Sequence, residues 1–549
     1  MRAADLMVEC LAAQGADRIF CVPGESYLAL LDALRDDARI DTVVCRHEGG
    51  AGLMAVADAK LTGRPGVAAV SRGPGATNAS IAIHLAQQDA TPLVALIGQV
   101  ARDERGRGAF QEVDYAAMFG TIAKAVWEVA DADHLPEVLA RAWQTAQAGT
   151  PGPVVISLPE DMLGDETSVP VVPPLPLPSA RPAADEVARA AALLARAERP
   201  LLIAGGALAH GTSRAALARA AAAHQIPVAL TFKRQEIFDN ASPLFAGHLG
   251  FKIPRAHVEA LARADLVLAV GTRLGDTPTQ GYTFPRAPVP DQPLIHVYPD
   301  PGVVGRLHRA EIALACDPTA FLEALAASPA TPSEARSAWA AETGAKGAAT
   351  KGYAPRSNPD GVDFGAVVAE LARNAPPDTV ITTDAGNFSS WVHRVWPWDG
   401  GSLAIGAAGG AMGLGIPGAV AACLRLPDRR VIAFSGDGGA MMTGNELATA
   451  RAAGARPIIV IANNGSYGTI RQHQERAYPH RTAATDLANP DFAAWGAAFG
   501  ALGLTISRDD EAPAAVARAL AHDGPVVIDA RTSLEAISAN ATLTALRTG

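Results

Sequence analysis

At 549 residues the chain is too long for one hydrophobic core, so roughly two to four domains are expected. A content of 49% hydrophobic and 5% aromatic residues suits a soluble globular protein, and a formal net charge of −10 argues against a general binder of nucleic acid or anionic membrane. Five scattered cysteines (Cys10, Cys21, Cys45, Cys316, Cys423) form no C-x-x-C pair and read as reduced structural thiols, which points to the cytoplasm.

From the amino terminus, "MRAADLMVECLAAQGADRIFCVPG" reads as an amphipathic helix and a strand, with acidic residues where a signal peptide would be purely apolar. No later stretch is long and apolar enough to span a bilayer. The strand-like runs of the first block are "DTVVC", "GVAAVS" and "PLVALIG". A proline-dense segment, Ser168 to Glu186, then reads as an extended linker. "PLLIAGG", "PVALT", "DLVLAVG" and "PLIHVY" follow in the second block. A second linker, Ser328 to Gly361, mixes Pro, Gly and polar residues with one short helical stretch. The third block repeats the pattern with "TVITTDAG", "RVIAFSG", "PIIVIAN" and "PVVIDA". Near-continuous apolar strands alternating with helices predict parallel sheets covered on both faces, hence three α/β domains of doubly wound parallel sheet in tandem.

One stretch of the third block raises a chemical question. In "SGDGGAMMTGNELATARAAGARPIIVIANNGSYGT", Asp437 is followed 27 residues later (464 − 437) by Asn464. "RVIAFSG" reads as a strand, "GNELATARAAGA" as a helix and "RPIIVIAN" as the next strand. A right-handed crossover makes the two strands parallel and puts Asp437 and Asn464 at the same sheet edge, where open α/β sheets bind ligands. Two hard oxygen donors beside Gly438 and Gly439 suit Mg²⁺, completed by phosphate oxygens and water. A GDG turn or an asparagine pair alone would be ordinary turn chemistry; the two together, one crossover apart, are more specific.

The combination "GDGG…NN" resembles the signature of thiamine-diphosphate-dependent enzymes, and the likeness covers essentially the whole chain. It is greatest for the acetolactate synthase, pyruvate oxidase and benzaldehyde lyase group. The resemblance implies a pyrimidine-binding domain at 1–167, a central Rossmann-like domain at 187–327 and a diphosphate-binding domain at 358–549. It implies that Asp437, Asn464 and the main-chain carbonyl of Ser466, beside Tyr467, hold the metal end. The diphosphate would lie against Gly386, Asn387 and Phe388 of "DAGNF" and the amides of Gly438 and Gly439.

The same resemblance assigns Glu48 of "RHEGGAG", at a strand-to-helix junction, to the pyrimidine N1′. "SRGPGATN", with Gly73 and Asn78, and "FQEVD", with Gln111, follow in the family's order. In "GGAMGLGIPGA" the Gly410 carbonyl would accept from the 4′-amino group and Met412 would bend the cofactor. Because in this family Glu48 from one chain would meet the diphosphate domain of another, a homodimer or homotetramer with active sites at the subunit interface is implied.

The implied reaction is decarboxylation of a 2-oxo acid followed by carbon–carbon bond formation. Its alternatives are non-oxidative decarboxylation and oxidation with FAD. Glu25 stands where decarboxylases of the family carry an acid, and Gln111 matches its ligases and oxidases. Two positions depart from acetolactate synthases: Thr277 replaces an Arg, and His473 lies in the stretch that carries a Trp. His473 reads either as an acceptor-pocket residue or as an ordinary helix-surface histidine; His47 and Ser26 are weaker pocket candidates. "GGALAHG", Gly205 to Gly211, is where FAD or a nucleotide would sit, although it is not G-x-G-x-x-G. A nicotinamide oxidoreductase would leave Glu48, Asp437 and Asn464 unexplained, and a regulatory paralogue without cofactor predicts decay of these three positions, all of which are intact.

Overall fold

The computed structural model describes residues 1–251, 253–329 and 331–548. Eighteen strands form three six-stranded sheets. The first contains β1 (Arg18–Cys21), β2 (Asp41–Val44), β3 (Gly66–Val70), β4 (Leu93–Gln99), β5 (Ala125–Glu128) and β6 (Pro153–Pro159), in the order β2-β1-β3-β4-β6-β5. The central sheet contains β7 (Pro200–Ala204), β8 (Val228–Thr231), β9 (Phe245–Leu249), β10 (Leu266–Val270), β11 (Leu294–Tyr298) and β12 (Ile312–Ala315), in the order β12-β11-β10-β7-β8-β9. The third contains β13 (Val380–Thr383), β14 (Leu403–Gly406), β15 (Val431–Gly436), β16 (Ile458–Asn463), β17 (Leu502–Ile506) and β18 (Val526–Arg531), in the order β14-β13-β15-β16-β18-β17.

All three sheets are parallel and flanked by helices, as their apolar strands predict: β3, β4, β6, β7 and β10 are buried at every position. Renumbered within each sheet, the first and third share one strand order. The central sheet has the dinucleotide-type order, reversing direction between β7 and β10.

The chain divides into two compact units. One is Met1–Leu177, Arg356–Ser389 and Ile405–Gly549, and holds the first and third sheets; the other is Pro178–Pro355 with Ser390–Ala404. Residues 390–404, expected in the third domain, thus cluster with the central sheet's unit. The second linker contains a 16-residue helix, Glu334–Ala349, longer than the short one expected; it buries Arg336 and Trp339 in the central unit. No helix among the described residues is long and apolar enough to cross a membrane.

The five cysteines are unpaired, and burial pushes the thiols of Cys10 and Cys21 up to about 11 and those of Cys316 and Cys423 up to about 12. Protonated thiols, four of the five cysteines being buried, fit a structural role.

Candidate active site

Register brings the polar residues of the third sheet together. Gly436 pairs with Ala462, so Asp437, just past the end of β15, and Asn463, at the end of β16, are the next positions. A helix begins at Asp437 itself and runs to Thr443, earlier than the Gly444 start expected from sequence. Asp437 therefore occupies the first turn, where the helix dipole favours a carboxylate.

Asp437 is 3% exposed; its Oδ1 accepts from the Gly438 amide at 2.9 Å and its Oδ2 from Asn489 Nδ2 at 2.8 Å. Burial pushes this carboxyl upward from its ordinary value, opposed by the amides of Gly438, Gly465 and Ser466 and by Asn489. None of these partners carries positive charge. Asn464 Oδ1 accepts from the Ser466 amide at 3.1 Å, an Asx turn that bends the chain directly after β16. Ser466 Oγ and the Tyr467 amide both donate to the Thr485 carbonyl, at 3.0 and 2.8 Å. The Tyr467 ring then lies so close to Gly438 that a Cβ there would be 2.4 Å from ring carbon Cε1. Only glycine fits.

The "DAGNF" turn after β13 joins the same edge. The Asp384 carboxylate accepts from the Gly415 amide at 2.7 Å and from Ser435 Oγ. The Asn387 amide donates to Thr469 Oγ1 at 3.1 Å, and its side chain to Gln472 Oε1 at 2.6 Å. Gln472 is buried on the helix Gly468–Ala477, whereas its neighbour His473 is exposed. Gly386 is half-buried and Phe388 is buried.

The loop carrying Gly410 and Met412 is gripped by the first domain. Asp89 accepts from the amides of Ala408 and Gly409 at 3.1 and 2.6 Å, while Lys60 Nζ donates to the Gly406 carbonyl at 2.9 Å. Lys60 and Asp89 also pair with each other, at 2% and 0% side-chain exposure. Gly410 has φ +75° and is exposed; Met412 is half-buried.

In the first domain Glu48 opens the helix Glu48–Thr62, capped by His47, whose Nδ1 accepts from the Gly49 amide at 3.0 Å. Glu48 is half-buried, and its Oε2 accepts from Asn78 Nδ2 at 2.9 Å. The junction before it is held by Glu446, a wholly buried carboxylate of the third domain. Glu446 accepts from the amides of Arg46 and His47 at 3.2 and 3.0 Å. A Cβ at Gly50 would stand 2.2 Å from Glu446 Oε1, so this helix turn must be glycine to admit the carboxylate.

Gln111 has φ +65°, and a Cβ at Gly73 would be 2.8 Å from its own. Glu25 lies 3.1 Å from Arg72, which also pairs with Glu160 at 2.5 Å; Ser26 Oγ is 3.0 Å from Ser71 Oγ.

The expected residues thus fall into clusters: Asp437, Gly438, Gly439, Asn464, Ser466 and Tyr467, with Asn387 on the same edge; Glu48 with Asn78; Gln111 with Gly73; and Glu25 with Arg72. No hydrogen bond links Glu48 to Asp437 among the described residues. Sequence reasoning missed Glu446, Asn489, Gln472 and the Lys60–Asp89 pair. Glu446 alone lay within the quoted motif, three residues before the Thr449 hydroxyl that donates to it at 2.6 Å.

Comparison with known proteins identifies the family. Models of the thiamine pyrophosphate enzyme N-terminal, central and C-terminal domains match residues 1–118, 187–325 and 384–530. An acetolactate synthase of Mycobacterium bovis is 34% identical over 544 residues, covering 96% of this chain and 87% of that protein. The acetolactate synthase isozyme 2 large subunit of Escherichia coli is 32% identical over 532 residues, covering 96% and 95%. The acetolactate synthase large subunit of Corynebacterium glutamicum is 32% identical over 546 residues, covering 96% and 86%. The chain therefore belongs to the thiamine-diphosphate-dependent enzymes, in the group that includes acetolactate synthase and pyruvate oxidase, as a carboligase or decarboxylase.

Proposed function

We propose that the protein is a Mg²⁺-dependent carboligase that decarboxylates a 2-oxo acid and joins the remaining acyl unit to a second carbonyl compound, giving a hydroxyketone and carbon dioxide. The observation that carries this reading is whole-length similarity to acetolactate synthases. Gln111 supports it as a pocket carboxamide that orients a carbonyl without supplying a proton.

Asp437, Asn464 and the Ser466 carbonyl would hold Mg²⁺. Their fit rests on a buried carboxylate whose partners are all neutral, beside a carboxamide oxygen, in a donor set that leaves room for phosphate oxygens and water. Gly386, Asn387, Phe388 and the amides of Gly438 and Gly439 would receive the diphosphate at a helix start. Thiamine diphosphate, when bound, supplies the nucleophilic carbon and the electron sink.

Glu48 would share a proton with the pyrimidine ring, while Gly73 and Asn78 shape its surroundings. Gly410 and Met412 would seat the ring's other side. Glu25 would relay or orient a proton, held in place by Arg72. His473 would border the acceptor, since Thr277 and the missing Trp depart from authentic acetolactate synthases.

The domains would be 1–167, 187–327 and 358–549. Glu48 of one copy would complete the site built on the other in a homodimer or homotetramer, in the cytoplasm. The carboxyl ends of β7 and β10 would take FAD if the central domain is occupied, and a yellow purified protein would reveal it. Incubation with thiamine diphosphate, Mg²⁺ and a panel of 2-oxo acids, with and without aldehydes, tests the reading. Hydroxyketone should dominate for at least one donor. Free aldehyde alone would mean a decarboxylase, and peroxide an FAD oxidase.

A further inference from the structure

A chain of side-chain hydrogen bonds leads from inside the third sheet to Asp437. Asp529 on β18 stands opposite Ile461 of β16 and is 1% exposed. Its Oδ1 accepts from Asn463 Nδ2 at 2.9 Å. Asn463 Oδ1 accepts in turn from Asn489 Nδ2 at 2.9 Å, and the same Asn489 nitrogen donates to Asp437 Oδ2 at 2.8 Å. The buried end fixes the polarity. A carboxylate oxygen only accepts, so Asn463 must turn its NH₂ toward Asp529 and its oxygen toward Asn489. Asn489 must then present NH₂ to both neighbours; flipped, it would set oxygen against the oxygens of Asn463 and Asp437.

We propose that Asp529, Asn463 and Asn489 form an orienting relay that holds the Asp437 carboxylate in the attitude a divalent cation requires. The proposal rests on reading Asp437 as a metal ligand. With Oδ2 engaged by Asn489 and Oδ1 by the Gly438 amide, the carboxylate is restrained at both oxygens, and each keeps lone-pair capacity for a cation. The two adjacent asparagines thereby divide the work: Asn463 orients and Asn464 ligates. All three relay members act through another residue, so they are positioning residues.

Calorimetric titration of Mg²⁺ into the full-length protein saturated with thiamine diphosphate reads the effect directly. Asn489→Ala and Asp529→Leu should each weaken Mg²⁺ binding by about 10- to 100-fold, with kcat recovered at saturating Mg²⁺. Asp529→Leu keeps the branched shape and removes the acceptor that sets the polarity, so it stands where Asn489→Ala fails to fold. An Mg²⁺ affinity within about twofold of wild type in the folded variants would overturn the relay. A wild-type chain that gives no Mg²⁺ heat would overturn the metal reading and the relay together, which distinguishes the two failures.

Discussion

At the scale of single residues, the site is built from polar groups that would be costly anywhere else in the sheet. Asp437 and Glu446 are both buried carboxylates held by amides rather than by cations, and burial pushes both upward. Glu48 differs: it is half-buried, engaged by one exposed amide from Asn78, and open to a ligand. Glu48→Gln keeps the shape and removes the carboxyl that would share a proton. It should lower kcat by about 10²- to 10⁴-fold, while the Kd for thiamine diphosphate, measured by calorimetry, rises less than about tenfold. A parallel loss of both would assign Glu48 to binding alone.

A second residue-scale outcome concerns pH. Burial pushes His248 down to about 4, with a contribution from His257, and pushes His393 well below its ordinary value. An unfolded histidine titrates near about 6.5, so between there and about 4 the unfolded chain binds more protons than the folded one. Stability contributed by these neutral rings is fully present above that window and is lost as pH falls through it. Urea midpoints should therefore drop from pH 7 to pH 5, and His248→Gln should flatten part of the drop.

At the scale of elements, the first and third domains hold each other's loops. Glu446 braces the turn before the Glu48 helix, and Lys60 with Asp89 braces the loop bearing Gly410 and Met412. A buried ion pair is weak evidence for stability by itself, but removing one partner strands the other. Lys60→Met should cost about 3–5 kcal/mol in denaturant unfolding, and Lys60→Met with Asp89→Leu should cost less than the single change. A double variant no better than the single would mean that the loop contacts, rather than the charge, dominate.

Legibility follows the same physics. β4, β7, β10, β15 and β16 were readable because strands buried on both faces are continuous apolar runs. β5, β9, β12, β14 and β17 were not: each is only four or five residues long and has residues that are not fully buried. β6 was missed despite full burial; "PVVISLP" carries the same signal as its neighbours. Asp437 and Asn464 stood out by their place at strand ends one crossover apart, and Glu48 by the family resemblance. Glu446, Asn489 and Asp89 did not, since their partners lie in distant sequence: Glu446 meets the Arg46 amide from 400 residues away. A single acidic residue in a helical stretch looks like solvent-facing charge until the fold buries it.

At the scale of the whole molecule, the proposed function requires Glu48 of one copy to complete the site that Asp437 would anchor in another. Within one chain the two residues have separate partners, Asn78 for one and Gly438 with Asn489 for the other. Assembly would then be a condition of catalysis rather than an accessory to it. The most direct measurement mixes two inactive proteins, Glu48→Gln and Asp437→Ala, under conditions that exchange subunits. Random pairing makes half the dimers hybrid with one of two sites intact, so the mixture should recover about a quarter of wild-type activity. A mixture no more active than its separate components would contradict the shared site.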